Sequence, residues 1–214
     1  MTPSVVRLIE DSIGPVGLPI TLAEAETALK AWGPRGEELA ELLSERNGLY
    51  AFESALLLRP LGNAEPLLDL LAWNSQELWK EYGDLSSLLF FAEDLFGHPF
   101  AIEGEKIVTF DLETGEREEF ADDLESFAAK LFEDPPLHTG WPLAHEWQEE
   151  HSALPIGARL APRRPFVLGG DYVLDNLVLV NDVDGLTARV RLAQQLRDLP
   201  PGFGVTYEIR PLTR

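Results

Sequence analysis

Two histidines, His145 and His151, are the residues of this chain that most resemble a metal-binding pair. A zinc-binding helix places its histidines at positions i and i+4, so that both side chains share one face. Six residues turn an α-helix by about 240°, which points the second side chain away from the first. The spacing therefore argues against zinc, and we predict no metal ligand in this segment.

The stretch Asp182-Val183-Asp184-Gly185 resembles part of a calcium-binding loop. In that register, Val180 takes the first ligand position and Arg191 takes the position of the bidentate glutamate. Because neither side chain supplies an oxygen ligand, the sequence predicts no calcium site.

Other catalytic signals are also missing. The chain contains no G-x-S-x-G nucleophile motif, no phosphate-binding loop ending in Gly-Lys-Ser or Gly-Lys-Thr, and no cysteine. His98 stands alone in a turn before Pro99, and carboxylates are so abundant that adjacent pairs such as Asp122 and Asp123 do not indicate acid–base chemistry. We therefore predict a protein that is not an enzyme, with no catalytic residue, no metal and no cofactor.

Negative charge is the main feature of the composition. The net charge is −20; residues 1–150 hold 9 Lys and Arg against 31 Asp and Glu, whereas residues 151–214 hold 8 against 6. Since contacts to phosphate need clustered cations, this acidity argues against direct binding to nucleic acid. It favours either a basic protein partner or a surface that is charged only for solubility.

The sequence also predicts where the protein resides. No run of 18 or more apolar residues occurs, which predicts no membrane span. Glu10 and Asp11 lie where a secretory signal would be apolar. We expect a cytoplasmic protein with no membrane partner.

Two helices are predicted near the start of the chain. Thr21 and Glu24 have the spacing of a capping box, in which each residue satisfies a backbone amide of the other. Gly33 and Pro34 should end this first helix, and a second is predicted for residues 36–46. A strand over residues 49–60 and a short helix over residues 74–82 should follow.

The centre of the fold is predicted for residues 85–131. Apolar runs and alternation predict strands at residues 88–92, 99–102, 106–111 and 117–120. From Asp122, which we assign as a helix cap, the apolar period changes to that of a helix. The apolar residues of that helix are Leu124, Phe127, Ala128 and Leu131.

The last part of the chain should begin after a linker at residues 133–136. Its predicted elements are, in order, a helix at 145–151, an irregular stretch at 155–165, strands at 166–168 and 172–180, a helix from 182 to about 199, and a strand at 205–209. The whole pattern predicts an α+β fold with a mixed, mainly antiparallel sheet, and residues 1–135 would form this α+β domain. Residues 136–214 would be a C-terminal strand-helix-strand extension, either of that sheet or as a subdomain packed on it.

A resemblance to a known family appears within this order of elements. The matching positions are Asn47, Gly48, Phe52, Trp79, Phe96 and Gly97. Over about residues 20–132 the chain resembles the SUKH superfamily, which includes many bacterial immunity proteins of polymorphic toxin systems and regulators of cell-wall synthesis. The resemblance implies helices packed around a mixed sheet, and binding without catalysis. It thus implies an immunity protein that neutralises a cognate toxin by direct binding or, alternatively, an intracellular scaffold or regulator.

Aromatic and acidic side chains are the candidates for that binding surface. They are Trp73, Trp79, Tyr82, Glu93, Asp94, Glu116, Glu118 and Glu119. Aromatic anchors surrounded by acid suit a basic partner, such as the domain of a nuclease toxin. On this interpretation, replacing Glu93 and Asp94, or Glu118 and Glu119, with Lys should weaken binding without unfolding the protein. The alternative is that Trp73 and Trp79 pack in the core.

Overall fold

A six-stranded antiparallel sheet forms the centre of the computed structural model, which describes residues 1–198, 200 and 204–212. Its strands are β1 (Leu49–Ala51), β2 (Leu56–Leu58), β3 (Leu88–Glu93), β4 (Pro99–Glu103), β5 (Lys106–Phe110) and β6 (Arg117–Ala121). Each strand pairs with the next one along the chain, which makes the sheet a meander. The α+β prediction is confirmed, and so are the four strands predicted between residues 88 and 120.

Helices cover both faces of this sheet. They are α1 (Pro3–Glu10), α2 (Leu22–Leu29), α3 (Gly33–Glu45), α4 (Leu70–Trp73), α5 (Gln76–Trp79), α6 (Leu124–Glu133), α7 (Pro135–Thr139), α8 (Trp141–His151) and α9 (Asp182–Asp198). No helix in the described part of the chain is long and apolar enough to cross a membrane.

Alternation along the strands gives the sheet two apolar faces. One face, which includes Phe91 and Phe100, packs on Phe127 of α6 and on residues of α1 and α3. The other face, which includes Phe90 and Phe110, packs on Trp79 of α5 and on Leu186 and Val190 of α9. The apolar stripe predicted for α6 is confirmed, since Leu124, Phe127, Ala128 and Leu131 are all buried.

Capping explains where two of these helices begin. The capping box of Thr21 and Glu24 is present, with the Thr21 amide donating to Glu24 Oε2 at 2.8 Å. For α6, the Asp122 assignment was wrong by one residue. Asp123 is the cap, and its Oδ1 accepts a hydrogen bond of 2.7 Å from the Ser126 amide. The Asp122 carboxylate instead pairs with the Lys106 ammonium.

The single strand predicted for residues 49–60 is wrong. The chain reverses at Phe52, Glu53 and Ser54, so that β1 and β2 form a tight antiparallel hairpin. Sequence gave no turn signal because none of these three residues is a glycine or proline.

Residues 133–136 are not an extended linker. Helix α6 ends at Glu133 and α7 begins at Pro135. The prolines occupy the first turn of α7, where no amide is needed, and Asp134 Oδ1 accepts from the Leu137 amide at 3.1 Å.

The C-terminal segment contains its own two-stranded sheet, made of β7 (Ala158–Pro162) and β8 (Leu177–Asn181). The irregular stretch predicted for residues 155–165 is therefore wrong, and residues 166–168 form a 3₁₀ turn rather than a strand. Residues 204–212 contain no regular strand. The strand predicted for residues 205–209 is therefore wrong. The backbone amide and carbonyl of Thr206 form hydrogen bonds with the Gln195 side chain, so they are not paired with a neighbouring strand.

The C-terminal segment packs against the six-stranded sheet as a separate layer. Leu95 and Phe96, after β3, share an apolar cluster with Ala144 of α8 and Leu160 of β7. Strands β7 and β8 do not join the larger sheet, so the C-terminal segment is not a continuation of that sheet. The boundary at residues 135 and 136 remains a prediction.

Helix capping in α6 can be tested with adjacent aspartates. Asp123→Ala should lower the free energy of unfolding by about 1 kcal/mol, because it leaves the Ser126 amide without its acceptor. Asp122→Ala is the matched control and should change it much less, since it removes only an exposed ion pair. Urea unfolding measures both values. Equal losses for the two variants would contradict the assignment of Asp123 as the cap.

Candidate functional site

Of the three aromatic residues of the predicted interface, Trp73 and Trp79 lie in the interior and Tyr82 is half-buried. Trp73 and Trp79 are buried, and Trp79 stacks on Phe90 with ring centroids 4.0 Å apart. The Trp79 indole donates to the Trp73 carbonyl oxygen at 2.6 Å, and the Tyr82 hydroxyl donates to the Leu112 carbonyl oxygen. Trp73 and Trp79 therefore belong to the core, as the alternative interpretation predicted, and are not surface anchors.

Glu93 is also not a surface residue. Its side chain is 1% exposed, and its two carboxylate oxygens accept from Arg59 Nη2 at 2.8 Å and Arg159 Nε at 2.7 Å. Arg59 Nη2 also donates to Asp182 Oδ2 at 2.9 Å, and the Arg59 guanidinium lies over the Trp73 ring. These four charged residues, Arg59, Glu93, Arg159 and Asp182, form a buried ion cluster that joins β2, β3, β7 and the start of α9.

Opposing effects determine the protonation of this buried ion cluster. Burial alone would raise the pKa of Glu93, but the charges and hydrogen bonds of Arg59 and Arg159 outweigh burial and hold it below its ordinary value. Burial raises the pKa of Asp182, and Glu93 adds to the rise while Arg59 opposes it. Glu93 is therefore the carboxylate that the two guanidinium groups stabilise most directly.

Asp94 stabilises the turn that follows β3. Its Oδ1 accepts from the backbone amides of Phe96 and His98 at 2.9 and 2.8 Å, and Oδ2 lies 3.4 Å from His98 Nδ1. The side chain is mostly buried and already has these partners. A structural role accounts for it, although it also lines the wall of a groove.

The three remaining candidates lie together at an open edge of the sheet. Glu116 precedes β6, and Glu118 and Glu119 are within it; all three side chains are exposed. In the part of the chain that the structure describes, strand β6 pairs only with β5, so no strand covers its other edge. Glu119 lies 3.9 Å from Lys106, whereas Glu116 and Glu118 have no ion-pair partner among the described residues.

A groove of about 430 Å³ runs beside this edge, between the sheet and α7. Its acidic half is lined by Asp111, Glu116, Glu118 and Glu119, and Lys130 is the cation that lines it. The Lys130 ammonium is already bound, since it donates to the Phe120 carbonyl oxygen at 3.1 Å and lies over the Phe120 ring.

An apolar depression of about 420 Å³ adjoins this groove. Phe96, Leu137, Leu143 and Tyr172 line it, together with two prolines. The sequence analysis missed Leu137, Leu143 and Tyr172, which come from α7, α8 and the loop before β8. Only Leu137 could have been recognised from sequence. It is an apolar residue in a five-residue helix, which is too short to place a row of apolar side chains in the core, so an exposed position was to be expected.

The β1–β2 turn is strained, and helix α8 holds it in place. Phe52, Glu53 and Ser54 have φ values of 50°, 52° and 69°, a left-handed conformation that costs non-glycine residues energy. The Glu53 carboxylate accepts from Trp141 Nε1 at 3.0 Å and lies 2.7 Å from His145 Nδ1. Gln148 Nε2 donates to the Glu53 carbonyl oxygen at 2.8 Å.

The histidines of α8 have separate environments. His145 contacts Glu53, whereas the His151 ring stacks on Trp147. Within residues 1–198, 200 and 204–212, no group of three or more His, Asp or Glu side chains is arranged to hold a metal ion.

Removing a member of the buried ion cluster should be costly. Glu93→Gln should lower the free energy of unfolding by about 3–5 kcal/mol, because it leaves two buried guanidinium groups with one fewer carboxylate. Glu118→Gln removes an exposed carboxylate and should have little effect. Chemical denaturation compares the two. The sequence analysis expected that Glu93→Lys would leave the protein folded, and the burial of Glu93 contradicts that expectation. A Glu93→Lys protein that is as stable as the original chain would show that the buried ion cluster is not needed for folding.

The contact between Glu53 and His145 should make stability depend on pH. The hydrogen bond to Glu53 raises the pKa of His145 above 6.5. The stability that protonated His145 contributes is therefore complete below pH 6.5 and is lost as pH rises through the raised pKa. Hydrogen bonds from His145 and Trp141 lower the pKa of Glu53 below 4.5, so its contribution is lost as pH falls through that lowered value.

The negative charge of Glu53 and the positive charge of His145 are therefore both present between pH 4.5 and 6.5. Urea unfolding should show that His145→Gln loses more stability relative to the original chain at pH 5.5 than at about pH 9. Glu146→Gln, an exposed change on the same helix, is the control. A His145→Gln difference that is the same at both pH values would contradict the assignment.

A solved structure has a similar fold. The crystal structure of Atu4351 from Agrobacterium tumefaciens superposes with a TM-score of 0.54 and 11% sequence identity, and the match covers 80% of this chain and 82% of that chain. No protein family and no curated protein matches the sequence. At this level of identity the likeness shows a shared fold, and the resemblance to the SUKH superfamily stays a prediction.

Proposed function

We propose that this chain is a non-catalytic protein-binding domain of the immunity type, which neutralises a bacterial toxin in the cytoplasm by covering the toxin's active surface. The observation that carries the proposal is the open edge of the sheet at β6, with Glu116, Glu118 and Glu119 exposed beside a groove. The proposed partner is a basic protein domain.

Electrostatics supports a basic partner. Glu116 and Glu118 are not neutralised by a cation among the described residues, and the one lysine that lines the groove is bound to Phe120. Unneutralised carboxylates that line a concave surface raise the local negative potential and speed the encounter with cations. A nuclease presents Lys and Arg to bind phosphate, so an acidic groove could occupy that surface in place of nucleic acid.

The arrangement of the edge strand favours contact with protein. Nucleic acid would be repelled by the same carboxylates, whereas a polypeptide can pair with both the carboxylates and the open edge of β6. The same surface would also serve a scaffold or regulator of the same fold. Co-purification with the product of the adjacent gene separates the two, since a toxin bound there supports immunity.

The charge contribution can be measured in the association rate. Glu118→Lys combined with Glu119→Lys should slow association with the co-purified partner by about tenfold at low salt, because the groove loses its attraction for cations. Glu146→Lys with Glu150→Lys changes the net charge equally on exposed positions of α8 and should have a smaller effect. Surface plasmon resonance at low and moderate salt measures both rates.

Salt should slow association of the original chain, since screening acts beyond about 8–10 Å. Circular dichroism should show that both double variants remain folded, because the substituted side chains are exposed. If the on-rate is indifferent to salt and the Glu118 and Glu119 variant binds normally, then the acidity serves solubility alone and the proposal fails.

A further inference from the structure

The acidic groove and the apolar depression form one continuous surface, which we call the composite groove. Asp94, His98, Leu137 and Tyr172 line both parts. One end presents the carboxylates of Glu116 and Glu118, and the other presents Phe96, Leu143 and their neighbours. A ligand that fills the composite groove would therefore contact carboxylates at one end and apolar side chains at the other.

Three aromatic rings pack on one another at the apolar end. The Phe166 and Tyr172 rings are stacked with centroids 3.9 Å apart, and the Phe96 ring packs edge-on against both. Gly140 allows this packing, because a Cβ on it would lie 2.8 Å from Phe96 Cε2. Because these rings pack on one another, a ligand that contacts Phe96 and Tyr172 spends less entropy on fixing their side chains.

The rim of the apolar end is unusually exposed for side chains of this size. Leu137 is 73% exposed and Tyr172 is 55% exposed. Single exposed apolar residues are common, but an apolar depression bordered by polar groups is typical of an interaction site. Here the border on one side is acidic.

The negative charge extends to the apolar end. Burial raises the pKa of Tyr172 to about 12, with Asp94, Glu113 and Asp111 adding to the rise. Asp94 lines both parts of the composite groove, so a carboxylate or phosphate group brought to the apolar end would approach a like charge. Cationic and apolar groups are the ones that complement the composite groove.

We propose that the composite groove binds a segment of the partner protein that carries one large apolar side chain, Leu, Met or Phe, with Lys or Arg within a few residues of it on one side. The apolar side chain fills the end between Leu137, Leu143 and Tyr172, and the cations lie over Glu116 and Glu118. This inference rests on the proposed function and specifies how the basic partner is held. The anchor supplies affinity, and the charges supply orientation and speed.

The recognition pattern can be tested without knowing the partner. A library of random peptides displayed on phage is selected on the immobilised chain, and enriched peptides are synthesised and measured by fluorescence anisotropy. We expect a large apolar residue with Lys or Arg within a few residues of it, in either order along the peptide. Enriched sequences without this pattern, or no enrichment at all, would overturn the inference.

Variants then locate the enriched peptide. Leu137→Ser should weaken its binding by about tenfold, since burying one large apolar side chain contributes on that order. Ile156→Ser is the matched control: Ile156 is 55% exposed and lies outside the composite groove, so binding should change less than about twofold. Glu116→Gln with Glu118→Gln should weaken binding more at low salt than at moderate salt. Equal effects of Leu137→Ser and Ile156→Ser would contradict the site.

The outcomes distinguish this inference from the proposed function. If the co-purified partner shows the expected salt dependence and Leu137→Ser binds it normally, the anchor is wrong while the basic partner stands. If the peptides bind as expected but no toxin co-purifies, the composite groove stands and the immunity role fails. Light scattering gives a further check: self-association that Leu137→Ser abolishes would place a second copy of the chain in the groove and overturn the inference.

Discussion

The Glu93 carboxylate binds two arginines that come from distant parts of the chain. Glu93 is the last residue of the central strand β3, Arg59 follows β2, and Arg159 belongs to the C-terminal hairpin, so their buried ion cluster joins the sheet to the layer packed on it. Asp182 attaches the start of α9 to the same guanidinium of Arg59. Buried charges persist only when they are paired, so these elements hold one relative position. The composite groove lies where that layer meets the sheet, and its shape follows from this position.

Sequence reasoning succeeded where local pattern decides structure and failed where distant residues decide it. The alternation of residues 106–111 and the stripe of Phe127 and Leu131 were sufficient to predict β5 and α6, because one buried face produces each period. The strand β7 was missed since Arg159 interrupts its apolar pattern, although this arginine is buried against Glu93. The β1–β2 turn was missed because α8 stabilises a left-handed backbone in residues that do not favour it.

The candidate site was predictable only in its acidic part. Glu116, Glu118 and Glu119 belong to a hairpin whose outer edge is polar, and local sequence is enough to place them on the surface. Glu93 has the same residue type, but its partners are 34 and 66 residues away in the chain, and no local pattern reports them. Leu137, Leu143 and Tyr172 meet only after three separate segments have packed, so the apolar end of the groove could not be read from any of them.

The sequential order of the strands has a consequence for how the chain folds. Each strand of the meander pairs with its neighbour, and all connections except the one between β2 (Leu56–Leu58) and β3 (Leu88–Glu93) are short, so most of the sheet forms by closing short loops, which costs little chain entropy. The bond between Arg59 and Asp182, by contrast, spans 123 residues. During synthesis, Arg59 and Glu93 therefore both emerge long before Arg159 and Asp182 exist. The carboxylate of Glu93 gives Arg59 an early partner, and the C-terminal layer completes an ionic centre that the nascent sheet has already begun.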